Sequence, residues 1–152
     1  MRKLFYYAVS AAFITVPVFA GALTLQVDDV RSNSEAMARN AAVAAHITAC
    51  HSPEKTVVTA TAEGIENGKL RSIPVKVIAL GRPGEFAVVR QWPAEGRWTV
   101  TMVATNPDYR NYATSVVVPI HDGVASRAEA KVFYHAASQQ EIYSVVKTAT
   151  LE

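Results

Sequence analysis

His46, Cys50 and His51 form the densest group of metal-ligating side chains in this sequence. Imidazole and thiolate together suit zinc or copper, so their value turns on the local backbone. On a helix, His46 and Cys50 share a face and could hold one ion. On a strand they also share a face, but about 13 Å separates their α-carbons at ~3.3 Å per residue, which no single ion spans. Cys50 and His51 then point oppositely unless the strand has already ended, which Pro53 allows. The alternative to a ligand set is a buried thiol beside a loop histidine. Cys50 is the single cysteine, so it has no intramolecular disulfide partner. An inert thiol, an intermolecular pair and a metal ligand all stay open.

Other chemistry is scarce. The sequence holds no nucleophile elbow, paired zinc histidines, Cys-x-x-Cys, phosphate loop or dinucleotide glycine pattern. Asp28 and Asp29 are adjacent, and neighbours on a strand point to opposite faces, so they cannot act on one atom. Glu63 and Glu66 flank Asn67-Gly68 and read as solvated charge. No catalytic set and no cofactor follows, and the expectation is a non-enzyme.

The elements that would position these residues are mostly β. Residues 23–30 alternate weakly, and 56–62 is a clear β-branched run. Asn67-Gly68 between β-rich segments is a strong hairpin signal, because both central positions favour positive φ. The return strand is placed at 73–80, with Pro74 assigning that end to a sheet edge. Arg82-Pro83-Gly84 fits a type II turn. A strand follows over 85–90, and Pro93-Ala94-Glu95-Gly96 turns again. In the next strand Trp98, Val100, Met102 and Ala104 share the buried face, while Thr99 and Thr101 face away. Asn106-Pro107-Asp108 breaks the run. Residues 112–120 form a strand whose Ser115-Val116-Val117-Val118 is buried enough to lose alternation. His121-Asp122-Gly123 turns the chain into a last strand over 128–134.

Two segments have capping-box form, Ser32-Asn33-Ser34-Glu35 and Ser138-Gln139-Gln140-Glu141. The first opens one or two helical turns, then a strand over 42–50. The second opens a C-terminal amphipathic helix with Ile142, Val145, Val146 and Ala149 at helical spacing. The fold expected is an all-β, immunoglobulin-like antiparallel β-sandwich of seven or eight strands over 23–137, with a short helix over 138–152. If its strands alternate up and down, the loops after Cys50, Leu80, Thr105 and Tyr134 share one end. That end gathers His51, Arg82, Asp108, Tyr109, Arg110, Tyr112 and His135 as a candidate binding surface. Trp92, before Pro93, is an exposed candidate for stacking on a glycan.

The N-terminus reads as an export signal over 1–22. Met1-Arg2-Lys3 precedes an apolar run ending at Phe19, then Ala20-Gly21-Ala22, with cleavage after Ala20 or Ala22. The run holds Ser10, Thr15 and Pro17 and is shorter than the roughly 20 apolar residues a spanning helix wants. A periplasmic or secreted protein with no stable membrane anchor after cleavage is expected. Losing Arg2 and Lys3 takes the 15 basic residues to 13, against 13 acidic. Nucleic-acid binding needs a basic face, and none is present.

The stretch Pro83-Gly84-Glu85-Phe86-Ala87-Val88 … Pro93-Ala94-Glu95-Gly96-Arg97-Trp98-Thr99-Val100 resembles the central hairpin of small exported immunoglobulin-like modules. It is similar to periplasmic accessory proteins associated with copper handling and oxidase assembly, over about twenty residues, or about sixty with the preceding hairpin. Metal-binding members of that group display methionine and histidine clusters. The chain after the signal has Met37 and Met102, and Met102 falls on the core face. The leading expectation is therefore a non-catalytic exported module binding another envelope or secreted protein. The alternative is a periplasmic copper- or zinc-handling accessory protein using His46, Cys50 and His51.

Overall fold

A computed structural model describes residues 23–48, 50–93, 95–110 and 112–150. The expected export signal and both cleavage points lie outside the described residues. Ten strands run in chain order as β1 (Thr24–Asp28), β2 (Ala41–Thr48), β3 (Val57–Glu66), β4 (Lys69–Val75), β5 (Val77–Ala79), β6 (Glu85–Val89), β7 (Trp98–Thr105), β8 (Ala113–His121), β9 (Val124–Ala125) and β10 (Lys131–Phe133). One helical turn, α1 (Ser34–Ala38), follows β1, and α2 (Gln139–Thr150) closes the described chain.

The strands make two sheets in the orders β1-β2-β6-β5 and β10-β8-β7-β3-β4, with β9 on β8. Every pairing is antiparallel. The first sheet has the A-B-E-D order of an immunoglobulin sandwich, and β4-β3-β7-β8 has its C′-C-F-G order. The expected all-β sandwich with a C-terminal helix is what the chain forms. The strand count exceeds seven or eight because the expected 73–80 strand is divided between β4 and β5, and because β9 adds a piece of two residues. A strand of two residues carries no period to read.

The return strand begins earlier than expected. Asn67 (φ 51°) and Gly68 (φ 73°) form the two-residue hairpin turn, and β4 pairs from Lys69. Pro74 lies on β4, the edge strand. At Lys76 the chain changes sheets, its N–H held by the Gln91 side chain, so one expected strand is two.

The interlayer core holds Leu25, Val43, Ala45, Val88, Trp98, Val100, Met102, Val116 and Val118. Trp98 packs flat on Gly64, its cross-strand neighbour, where a Cβ would stand 2.9 Å from Cε3 of the indole. Trp92 is 5% exposed and belongs to this core. That corrects its expected exposure: burying so large an apolar surface outweighs the polarity of the turn around it.

A third layer covers the outer face of the second sheet. Ile142, Val145 and Val146 of α2 pack with Val117, flanked by Ile65, Leu70, Phe133 and Ala137. This is why Val116, Val117 and Val118 are all buried. The α2 N-terminus is the expected capping box: Ser138 Oγ accepts from Glu141 N at 3.3 Å, and Glu141 Oε2 accepts from Ser138 N at 2.8 Å. At the first helix the cap is Asn33 instead, its Oδ1 accepting from Glu35 N and Ala36 N.

Glu63 departs from its sequence expectation. It is 1% exposed, not solvated. The hairpin turn begins four residues later, at Asn67, and α2 lies over this part of β3.

Candidate functional site

β2, β7 and β10 end, and β3, β6 and β8 begin, at one end of the sandwich. The connecting loops carry His51, Arg82, Asp108, Tyr109, Arg110, Tyr112 and His135. Asn106 braces this end. It is 3% exposed. Its side-chain amide donates to Ser52 O at 2.8 Å, Thr56 Oγ1 at 3.1 Å and Cys50 Sγ at 3.4 Å. Its Oδ1 accepts from Asp108 N at 2.9 Å, and its carbonyl accepts from Tyr109 N at 3.0 Å. One buried amide thereby joins the loop after β2 to the loop after β7. In sequence, Asn106-Pro107-Asp108 reads only as a strand break. An asparagine two residues before an aspartate is the signal that could have found the brace.

Lys55 Nζ lies 3.0 Å from Asp108 Oδ2 across the same two loops. The ammonium hydrogen bond and charge hold the Asp108 carboxyl below its ordinary value, with Ser52 adding to it. Asp108 in turn raises Lys55. The turn before β6 rests on the same loop, since a Cβ on Gly84 (φ 80°) would stand 2.8 Å from Pro53 Cβ. Arg82 on that turn pairs with Glu85 at 2.7 Å.

Arg110 is exposed, with Tyr109 and Tyr112 half-buried beside it. They surround an open hollow of about 480 Å³ with Thr105, Asn106, Pro107 and Ala113. His51 is exposed. His135 faces the helix: its Nε2 lies 3.0 Å from Glu141 Oε1, and its ring packs edge-on to Phe133 at 5.7 Å. Of the seven residues, the structure thus gathers Tyr109, Arg110 and Tyr112 around one hollow and ties Asp108 beneath it. Arg82 and His135 are engaged by neighbouring carboxylates.

The potential metal ligands have separate surroundings. His46 Nδ1 lies 2.8 Å from Asp28 Oδ2 in a half-exposed pair joining β1 to β2. Cys50 is half-buried, packed against the core and bonded by Asn106. Among the described residues, no three His, Cys, Asp or Glu side chains gather closely enough to hold a metal ion. His46 lies within β2 and Cys50 beyond its end, the strand case in which side chains four apart lie far from each other.

The remaining paired groups are structural ties. His121 Nε2 meets Glu129 Oε2 at 2.5 Å, joining β8 to the turn before β10. Asp29 caps the turn after β1 by accepting from Arg31 N at 2.9 Å. At the opposite end of the sandwich, Arg31, Arg127, Asp28 and Asp29 line a hollow of about 400 Å³ with both acidic and basic side chains. No protein-family model matches this chain, and no curated protein matches it in sequence.

Proposed function

We propose that this chain is an exported, non-catalytic immunoglobulin-like module that binds a protein or envelope component through the loop end carrying Tyr109, Arg110 and Tyr112. The observation that carries the proposal is the brace beneath those residues. Asn106 and the Lys55–Asp108 pair fix two loops from below. Above them stand an exposed arginine and two half-buried tyrosines. Tyrosine and arginine dominate binding hot spots because they offer large contact area with a polar tip. A surface held in shape before contact loses less conformational entropy on binding. Export is part of the proposal and rests on the Met1–Ala22 sequence.

Site-specific photo-crosslinking in exporting cells tests it. A photoreactive residue at Arg110 is expected to give one discrete adduct, and the same group at Lys69, on the hairpin at the far end, none. Equal adducts from both positions, or none from Arg110, overturn the assignment of the surface. Protein recovered wholly in the cytosol overturns export.

A further inference from the structure

Glu63 sits on the outer face of the second sheet, the face that α2 covers. Its neighbours there follow from the register: Ser72 opposite it on β4, Thr99 opposite it on β7, then the Thr61–Thr101–Val117 row. The apolar cluster holding α2 runs from Phe133 and Val117 to Ile65 and Leu70. Glu63 lies along that diagonal. Its carboxyl meets hydroxyls: Thr61 Oγ1, Thr101 Oγ1 at 2.9 Å, and Ser72.

No described cation supports it. Just before β7, the Arg97 guanidinium donates to the Ala149 carbonyl at the far end of α2. On β4, Lys69 and Arg71 are exposed. Beyond Val117 on β8, Lys131 of β10 continues the row and is exposed, and Glu129 is paired with His121. The inward residues of α2 are Ile142, Val145, Val146 and Ala149. Its ionisable groups lie elsewhere: Glu141 at the cap with His135, and Tyr143 and Lys147 on the exposed side. Burial therefore raises the Glu63 carboxyl above the ordinary value of 4.5, with the hydroxyl bonds and the Thr101 backbone N–H offsetting only part.

We propose that α2 is a proton-gated cover: while Glu63 carries its proton the helix lies on the second sheet, and loss of that proton lifts the helix. A carboxylate held by three hydroxyls and the Thr101 backbone N–H, with no cation beside it, is poorly stabilised away from water. Water reaches it most readily from the α2 side, because the other side is the strand network itself. The helix is tied through 134–138, where Tyr134, His135, Ala136 and Ser138 are exposed. Lifting it bares Ile65, Leu70, Val117 and Phe133 together with the apolar face of α2. The gate is independent of the loop end, so either assignment can fail without the other.

The sign is fixed by linkage. The docked carboxyl binds its proton more tightly than the open one, so docking is fully present below about pH 4.5. Above that value opening releases a proton, and the open fraction grows up to tenfold per pH unit. The growth levels off once the docked carboxyl has itself ionised. Native-state hydrogen exchange on the full chain reads this directly. Corrected for intrinsic rates, protection of the 143–149 amides is expected to fall as pH rises from 5 to 8. Val100 and Val116 of the core keep theirs, and Glu63→Gln removes the pH dependence. The wild-type protein provides a second readout, the ¹³C shift of the Glu63 carboxyl. Its titration is expected above 4.5, in step with the loss of helix protection. The gate is overturned by helix protection that does not change with pH, by an unaltered profile in Glu63→Gln, or by ordinary titration of Glu63 with α2 still protected.

Discussion

Replacing Gly64 by alanine sets two effects against each other, and the structure decides between them. A methyl group limits the unfolded chain and by itself would stabilise by about 0.4–1 kcal/mol. In the folded state its Cβ would lie 2.9, 3.0 and 3.1 Å from Cε3, Cδ2 and Cζ3 of Trp98. The ring has little room to yield, because it is buried and its Nε1–H donates to the Glu95 carbonyl at 2.9 Å. The strand cannot yield either, since β3 is paired with β4 on one side and β7 on the other. Overpacking of this kind costs about 1–3 kcal/mol. The net expectation is a loss of about 1–2 kcal/mol, or about 3–8 °C in Tm for a domain of this size. Urea unfolding followed by tryptophan fluorescence measures it, with an unchanged slope marking a loss of stability alone. On a Trp98→Leu background the same substitution is expected to be neutral or stabilising, giving a coupling between the two sites. A Gly64→Ala protein as stable as the parent would refute the packing argument.

Asn106→Ala strands Ser52 O, removes the tie to Thr56 and frees Asp108 N. It is expected to cost about 2–4 kcal/mol and to speed the reaction of Cys50 with a thiol reagent; unchanged thiol kinetics would place the brace elsewhere. The Glu141 carboxyl is held at about 2 by the Ser138 backbone N–H, then the Ser138 hydroxyl, then His135. A lowered carboxyl contributes stability that is present above its ordinary value of 4.5 and is lost as pH falls toward 2. The first turn of α2 should therefore fray over that interval, seen as amide exchange at 142–144, and Glu141→Gln should remove the acid dependence. A chain ending at Ala137 leaves Val117, which is 0% exposed beneath α2, open to water. It is expected to bind a hydrophobic dye and to unfold at lower urea; full stability would make α2 a passenger on the sandwich.

The turns were legible because their chemistry is local. Asn67-Gly68 and Asp122-Gly123 adopt the positive φ angles their residue types favour. The alternation of Trp98, Val100, Met102 and Ala104 likewise marks the inner face. The Ser138–Glu141 cap is local too, and it opens α2 at the expected residue. What misled was the environment. Glu63 stands near a turn and reads as solvated, and Trp92 stands before a proline and reads as exposed. Both are buried by segments distant in the chain.

The order of residues by itself determined the class of fold, the places where the chain turns and the amphipathic character of its last helix. Each is a matter of side-chain period or backbone preference within a few neighbours. Only the folded arrangement decided that α2 lies over Glu63, that Asn106 ties Ser52 and Thr56, and that His46 pairs with Asp28 rather than Cys50. The hydrogen-bonded pairs among these join residues 18 to 54 positions apart, from Asp28–His46 to Ser52–Asn106. No local preference encodes such pairings, because they exist only once the sheets have stacked and the helix has found the apolar strip of Ile65, Leu70, Val117 and Phe133.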